Sequence, residues 1–574
     1  MKAFLAQINP VVGDLRTNFE KHLDIINIVN SKRDSNPKLI IFPELSLIGY
    51  PARDLLFKKE LLIRQGDYLK QLSEICPANL GILVGGVSSN DTTGKELFNS
   101  VFFITWNKVA DVFRKTLLPN YDVFDETRYF ESNKEFKTLD FGGYKLGISI
   151  CEDLWADELK NLYDIDPIAK LTKLGAKLII NCSASPYYIN KIKLRQSLIT
   201  HAAEKHQVPI LYCNQVGSND HLVFDGASLV VNKHGYVTRQ GRSFIEDLME
   251  IDIESLMKNE EKAFISEEKK NAEIGVLLDV QENNTELFIS DIKAYGEILS
   301  ALKLGIQDYF KKCGFKKAIL GLSGGIDSAL VAYLAVQALG KENVSGIMLA
   351  SKFTSNESLK DAQQLAKNLG IDYRSISIKE LHETMLETVP KISKLASENV
   401  QARLRANILL ALSNTEGSLL LATSNKSELA VGYATIYGDT CGSIAPIGDL
   451  LKTEVYALVD YINQNTVSLD VGLTIPDNIC KKAPTAELRE NQKDEDSLPP
   501  YPKLDAIIMN YVEKRKSLTE IVEMGFYEPT VLSILGMIDR NEYKRQQYPP
   551  IIKVKELTFG YGRKMPIAAK YEHY

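Results

Sequence analysis

Short apolar runs alternate with amphipathic stretches along the first 253 or so residues. The runs Lys2–Ile8, Lys38–Phe42, Gly81–Val87, Ser100–Thr105, Leu146–Cys151, Leu178–Cys182, Ile210–Asn214 and Ala227–Val231 have the length and β-branched content of buried strands. Between them, Asn18–Val29 and Ile192–His206 place apolar residues three and four apart, the mark of a helix with one buried face. A Glu/Lys-rich stretch from Glu254 to Asn284 then breaks the rhythm and reads as a solvated linker. From about Asp291 the pattern becomes helix, strand (Ala318–Leu320), helix (Ala329–Leu339), strand (Val344–Leu349), helix, strand (Tyr373–Ile378). That alternation predicts an α/β domain with a doubly wound parallel sheet. The expected division is a first domain over 1–260, a linker over 261–290 and a second domain over 291–574. A polar loop with four prolines, Lys481 to Pro502, is either a surface loop or a mobile lid.

Composition narrows the class. A chain of 574 residues is too long for one core. Hydrophobic content of 45% and charged content of 25% are those of an ordinary globular protein. A net charge of −6 without a basic block argues against a nucleic-acid surface. The apolar stretch at Met1–Pro10 is too short for a signal peptide, and no run approaches a membrane span. Seven cysteines form no Cys-x-x-Cys pair and no zinc spacing, so a reducing cytoplasm is expected.

The chemistry is densest at Leu320-Gly-Leu-Ser-Gly-Gly-Ile-Asp-Ser328. A strand turning through glycines into a helix N-terminus aims backbone N–H groups and a positive dipole end at one point, which suits phosphate. The segment has no Lys after its glycines and so is not the Gly-Lys-Ser/Thr nucleotide loop. Ser-Gly-Gly-Ile-Asp-Ser resembles the pyrophosphate-binding loop of ATP pyrophosphatases, which cleave ATP to AMP and pyrophosphate through an adenylated substrate.

In the first half, Glu44 lies in Ile41-Phe-Pro-Glu-Leu-Ser-Leu-Ile-Gly-Tyr-Pro51, Lys115 in Phe113-Arg-Lys-Thr-Leu-Leu-Pro-Asn-Tyr121, and Cys151 ends Gly147-Ile-Ser-Ile-Cys151 before Glu-Asp-Leu-Trp155. Each taken singly is an ordinary loop acid, solvated cation or core thiol. Together with their flanks they resemble the Glu-Lys-Cys set of the nitrilase family of carbon–nitrogen hydrolases. That resemblance implies an α-β-β-α sandwich in which a thiol attacks the carboxamide of glutamine. A free thiol has a pKa near ~8.5, so a nearby Lys115 is expected to favour the thiolate and Glu44 to accept its proton. Lys115 and a backbone N–H near Cys151 would stabilise the oxyanion. The resemblance further implies that Tyr50, Tyr121, Glu126, Ser183, Ser185 and Lys191 line the glutamine pocket. Lys191 stands where some family members carry Arg, so its pairing with a carboxylate would be point-like.

In the second half, Ser397-Glu-Asn-Val-Gln-Ala-Arg-Leu-Arg405, Ala422-Thr-Ser-Asn-Lys-Ser-Glu-Leu429, Gly432-Tyr-Ala-Thr-Ile-Tyr-Gly-Asp439 and Pro446-Ile-Gly-Asp-Leu-Leu-Lys-Thr453 follow the phosphate loop in order. The series resembles the NAD synthetase family, and Asn425-Lys426 resembles its glutamine-dependent branch. The resemblance implies that Ser323, Gly325, Asp327, Ser328, Thr423 and Lys452 bind ATP. It places Mg²⁺ on Asp327 and Glu428, and deamido-NAD on Asn399, Arg403 and Asp439. A homo-oligomer joined through the second domain is also implied.

Ammonia is mostly ammonium at neutral pH, so a glutaminase fused to an adenylating ligase is expected to pass NH₃ on through a shielded path. The alternative is an ammonia-dependent synthetase carrying a nitrilase-like domain that only packs or binds partners. The intact Glu44, Lys115 and Cys151 argue against it. A Cys-His-Glu amidase is disfavoured because none of the seven histidines lies in a matching motif.

Overall fold

The computed structural model describes residues 1–32, 36–156, 162–258, 292–465, 474–490 and 492–572. The expected linker, 261–290, lies outside them. The chain divides into two compact units, Met1–Val280 and Gln281–Tyr574.

In the first unit, β1 (Lys2–Gln7), β2 (Lys38–Ile41), β3 (Leu80–Ser89), β4 (Leu97–Thr105) and β5 (Lys108–Arg114) form one sheet in chain order. The helices α1 (Leu15–Ser31) and α2 (Lys59–Ile75) precede β2 and β3. The chain then enters a second sheet through β6 (Thr138–Phe141), β7 (Tyr144–Ile150), α3 (Pro167–Lys173), β8 (Leu178–Ser183), α4 (Lys191–His206) and β9 (Ile210–Asn214). A hairpin of β10 (Val216–Asn219) and β11 (Leu222–Asp225) follows, then β12 (Leu229–Val231) and β13 (Val237–Gln240) complete the second sheet. Finally β14 (Asp247–Asp252) pairs antiparallel with β1 and leads into α5 (Ile253–Lys258).

Strand periodicity makes the layers. Ala3 and Leu5 point to one face of β1 and Phe4 and Ala6 to the other. The first pair joins Leu39, Ile41 and Leu83 against Ile148, Ile180 and Leu211 of the second sheet. The second pair meets Ile26 and Val29 of α1 and Leu69 and Leu72 of α2. Beyond the other sheet, Ile179, Ile210 and Leu229 pack on Ile168 of α3 and Leu198, Ile199 and Ala202 of α4. The result is the α-β-β-α sandwich expected from the family pattern.

In the second unit, α6 (Ile292–Lys312) leads to β15 (Lys317–Gly321), α7 (Ile326–Leu339), β16 (Val344–Ala350), α8 (Asn356–Leu369), β17 (Asp372–Ser377), α9 (Lys379–Thr388), α10 (Lys394–Glu416) and β18 (Ser418–Leu420). The strands are parallel in the order β17-β16-β15-β18. The order reverses beside β15, which places a ligand crevice at the C-terminal end of that strand. From Ser328 to Val336 every residue of α7 is buried, as its almost wholly apolar sequence requires. Past β18 come α11 (Lys426–Val431), α12 (Lys452–Gln464), α13 (Asp477–Lys481) and α14 (Tyr501–Ile508), the last two flanking the proline-rich loop.

Two expected strands are shortened by backbone geometry. Gly226 and Ala227 both have positive φ, so β12 begins at Leu229. Likewise β7 ends at Ile150, because Cys151 itself has φ +43°.

Candidate active sites

The sharp turn at Cys151 lifts its side chain off the end of β7 into a short 3₁₀ turn, Cys151–Leu154. Asp153 fixes that turn by accepting from Ile150 N (3.0 Å), Thr116 N (3.0 Å) and Leu117 N (2.9 Å). It thereby ties the cysteine to the segment that follows β5 and carries Lys115. Glu44 lies where the chain crosses β3. A Cβ on Gly85 would come 2.3 Å from both Pro43 O and Leu45 N, so the crossing requires glycine.

These elements bring Glu44, Lys115 and Glu126 together with their side chains fully or almost fully buried. Lys115 Nζ donates to Glu44 Oε1 (2.7 Å) and to Glu126 Oε1 (2.8 Å). Tyr50 OH donates to Glu126 Oε1 (2.9 Å), Asn99 Nδ2 to Glu44 Oε1 (2.7 Å), and Ala184 N to Glu44 Oε2 (3.1 Å). Burial alone would lower the Lys115 pKa, but the charges of Glu126 and Glu44 outweigh it and hold the ammonium protonated. Burial lifts the Glu126 carboxyl to about 7; Lys115 opposes this and Glu44 adds to it.

The thiol behaves differently from the sequence expectation. Burial, then the charge of Glu44, push Cys151 well above the ordinary thiol range, and the opposing Lys115 does not compensate. The ammonium is shared between two carboxylates, so its net field at the sulfur is weak.

The other expected pocket residues are spread around this centre. Tyr121 OH donates to Glu152 (2.8 Å), as does Tyr163 OH (3.1 Å). Ser183 donates to Asn181 Oδ1 (2.6 Å), and Ser185 N to Asn214 Oδ1 (2.9 Å). Lys191 Nζ lies over the rings of Trp155 (3.9 Å) and Tyr188 (4.7 Å).

In the second unit, a cavity of ≈ 630 Å³ opens over the C-terminal ends of the parallel strands. Ser323, Gly325, Asp327, Ser328, Asn399, Arg403, Thr423, Glu428, Asp439 and Lys452 all line it, so the ten residues expected to hold ATP, Mg²⁺ and deamido-NAD border one space. Ser323 Oγ accepts from Gly325 N (3.2 Å) and lies 3.1 Å from Ser328 Oγ, which shapes the turn before α7. Gly325 caps α7 without a side-chain partner for its first N–H groups. Lys452 Nζ contacts Asp327 Oδ2 (2.5 Å) and Glu428 Oε1 (3.4 Å). Asn425 Nδ2 donates to Asp327 Oδ1 (2.9 Å), while its Oδ1 caps α11 at Glu428 N (3.0 Å). Burial raises the Glu428 pKa to about 8; Lys452 opposes this and Asp327 reinforces it. On the other wall, Thr435 links Asn399 Oδ1 (2.8 Å) to Asp439 Oδ1 (2.7 Å), and Arg403 Nε donates to Ile436 O (3.2 Å).

Among the described residues no cluster of three or more His, Cys, Asp or Glu is placed to hold a metal by itself. The Asp327–Glu428 pair suits a hard cation that takes the rest of its shell from phosphate and water.

Asn99 carried no sequence signal, because the carboxylates it approaches, Glu44 and Glu126, lie 55 and 27 residues away. The loop Lys481 to Pro502 does more than cover surface. Lys482, Pro484, Glu487 and Asp494 line the cavity, and Glu487 accepts from Ser355 Oγ and Ser358 Oγ at 2.8 Å each.

The carbon-nitrogen hydrolase family profile matches residues 2–259 and the NAD synthase profile matches 298–548. The two modules define a ligase that carries its own amide-cleaving unit. A glutamine-dependent NAD(+) synthetase of Synechocystis sp. is 41% identical over 99% of this chain and 98% of its own. One from Thermotoga maritima is 39% identical over 100% and 99%. The structure of the glutamine-dependent NAD+ synthetase from Acinetobacter baumannii in complex with ADP superposes with a TM-score of 0.72, at 34% identity, over 99% of this chain and 98% of that one. The chain belongs to the glutamine-dependent NAD(+) synthetases. No described helix is long and apolar enough to cross a membrane.

Proposed function

We propose that the protein converts deamido-NAD, ATP and glutamine into NAD, AMP, pyrophosphate and glutamate. The observation that carries this reading is the convergence of ten residues from separate motifs on one cavity, on a chain that also buries a Glu44–Lys115–Cys151 group.

In the amidase step, Cys151 Sγ attacks the carboxamide carbon of glutamine. Because the thiol is held protonated, its proton passes to Glu44 as the bond forms. Lys115, fixed by two carboxylates, supports the oxyanion together with a backbone N–H at the cysteine turn. Glu44 returns the thiol proton to the departing nitrogen, which leaves as ammonia, and then takes a proton from the water that attacks the thioester and releases glutamate and the Cys151 thiol. Tyr50, Tyr121, Glu126, Ser183, Ser185 and Lys191 hold the glutamine.

In the ligase step, Ser323, Gly325, Asp327, Ser328, Thr423 and Lys452 bind ATP; the ADP-bound relative supports nucleotide binding at this fold. Asn399, Arg403 and Asp439 hold deamido-NAD. Asp327 and Glu428 would hold Mg²⁺, which would neutralise phosphate charge. Lys452 then turns from the carboxylates to the phosphates. A carboxylate cannot expel oxide, so the nicotinate carboxylate takes AMP from ATP as a mixed anhydride. Ammonia attacks that carbonyl and AMP departs. A cytoplasmic homo-oligomer joined through the ligase unit completes the reading.

The test is NAD formation from deamido-NAD, ATP and Mg²⁺ by wild type and Cys151→Ala, each with glutamine or ammonium. The variant should lose only the glutamine-driven reaction. Equal use of glutamine by both proteins overturns the amidase assignment, and no NAD from either donor overturns the ligase assignment.

A further inference from the structure

Asn99, on β4, donates through Nδ2 to Glu44 Oε1 at 2.7 Å and lies 3.5 Å from Glu126 Oε2. It is fully buried, and its own backbone O accepts from Lys115 N at 2.8 Å, so it is anchored to the same strand end as the lysine. Its Oδ1 is buried with no partner. Two carboxylates and one ammonium share this space. Full ionisation leaves one uncompensated negative charge among buried side chains, so one carboxyl retains a proton near neutrality. Lys115 does not choose between them, since it lies 2.7 Å from one and 2.8 Å from the other. An amide N–H can only donate, and it favours charge on the oxygen it approaches more closely.

We propose that Asn99 is a positioning residue that decides which carboxylate is the base: its closer donor holds Glu44 to that role beside Cys151 and leaves the shared proton on Glu126. Although Oδ1 has no partner, turning the amide would set that oxygen against the acceptor oxygens of two carboxylates, so Nδ2 stays on them. The titratable groups around the pair are Tyr50, Lys115, Cys151, Cys182, Glu152 and Tyr163. None of the others donates to both carboxylates except Lys115.

The inference rests on the amidase reading above. Its test is the pH profile of glutamine hydrolysis by Asn99→Leu and Asn99→Asp, with iodoacetamide labelling of Cys151 and a thermal melt as checks on folding. Asn99→Leu loses the donor at every pH, so its acid limb should move up by about one pH unit. Asn99→Asp can donate only when protonated, so its activity should be confined to the acid side and fall where wild type rises. Profiles that superpose on wild type in folded variants overturn the proposal. If Asn99→Leu does not fold, the isosteric Asn99→Asp decides alone. Cys151→Ala run alongside separates the two readings: if it still hydrolyses glutamine, the amidase assignment fails rather than the role of Asn99.

Discussion

His22 shows how a single side chain far from the chemistry can hold it in place. Its Nδ1 donates to Asn18 O (2.7 Å) and its Nε2 accepts from Ser46 Oγ (3.0 Å), which in turn accepts from Gly85 N (3.2 Å). The chain pins the loop carrying Glu44 to β3. Burial lowers the His22 pKa to about 4, so the fold prefers the neutral ring. A lowered histidine contributes stability that is fully present above the unfolded value of 6.5 and is lost as pH falls through 4. The loss amounts to roughly 3 kcal/mol. Both tryptophans, Trp106 and Trp155, lie in the first unit, so their fluorescence follows its unfolding alone. Urea midpoints measured this way should fall steeply from pH 6.5 to 4 in wild type and much less in His22→Gln. At this scale, Glu44, Lys115 and Cys151 stand out in the sequence through their flanks. Asn99 and His22, whose side-chain partners Glu44 and Ser46 lie 55 and 24 residues away, do not.

Among the elements, the turn at Ser323–Gly325 and the paired helices α11 and α12 shape the cavity of the second unit. Gly324 has φ +78°, and a Cβ there would come 2.5 Å from Ser358 O and 3.0 Å from Ser358 Cα at the start of α8. Gly324→Ala must therefore displace backbone, at a cost of order 1–3 kcal/mol. The KM for ATP should rise with either nitrogen donor while glutamine hydrolysis persists. Asp505 on α14 clamps the two helices, accepting from Ser427 Oγ (2.5 Å), Thr453 N (2.9 Å) and Thr453 Oγ1 (2.8 Å). Ser427 Oγ also accepts from Lys452 N (2.8 Å), so Glu428 and Lys452 keep a fixed spacing at Asp327. Asp505→Ala strands these donors, and NAD formation should fall about tenfold or more with both donors, with stability lowered by ~1–3 kcal/mol. The strands with apolar runs bounded by turn residues were legible, whereas β6, β10, β11, β13, β14 and β18 were not. Strand β5 escaped notice because Lys108–Ala110 are exposed on a sheet edge and break the apolar run. Helix α2 also escaped; its Gly66 and mixed face blur the period.

For the whole molecule, the order of motifs was readable because each is a local cluster, whereas their convergence on one cavity depends on the strand order β17-β16-β15-β18, which no local pattern encodes. Two complete sets of chemical groups on one chain make a demand that neither unit makes alone. On the proposed function, the amidase releases a base that water protonates at once, and the adenylated acid needs the unprotonated form. A chain that merely carried both activities would use ammonia from solution and glutamine nitrogen without distinction. The proposed function requires instead that nitrogen from glutamine reach the adenylate before it mixes with the medium. Amide-labelled [¹⁵N]glutamine supplied with excess unlabelled ammonium should therefore yield NAD whose amide is mostly ¹⁵N in wild type. Cys151→Ala should incorporate only unlabelled nitrogen under the same conditions. NAD whose label follows the bulk ammonium pool in wild type would show that the two chemistries share a chain without sharing an intermediate, and the reason for their fusion would have to be sought outside nitrogen transfer.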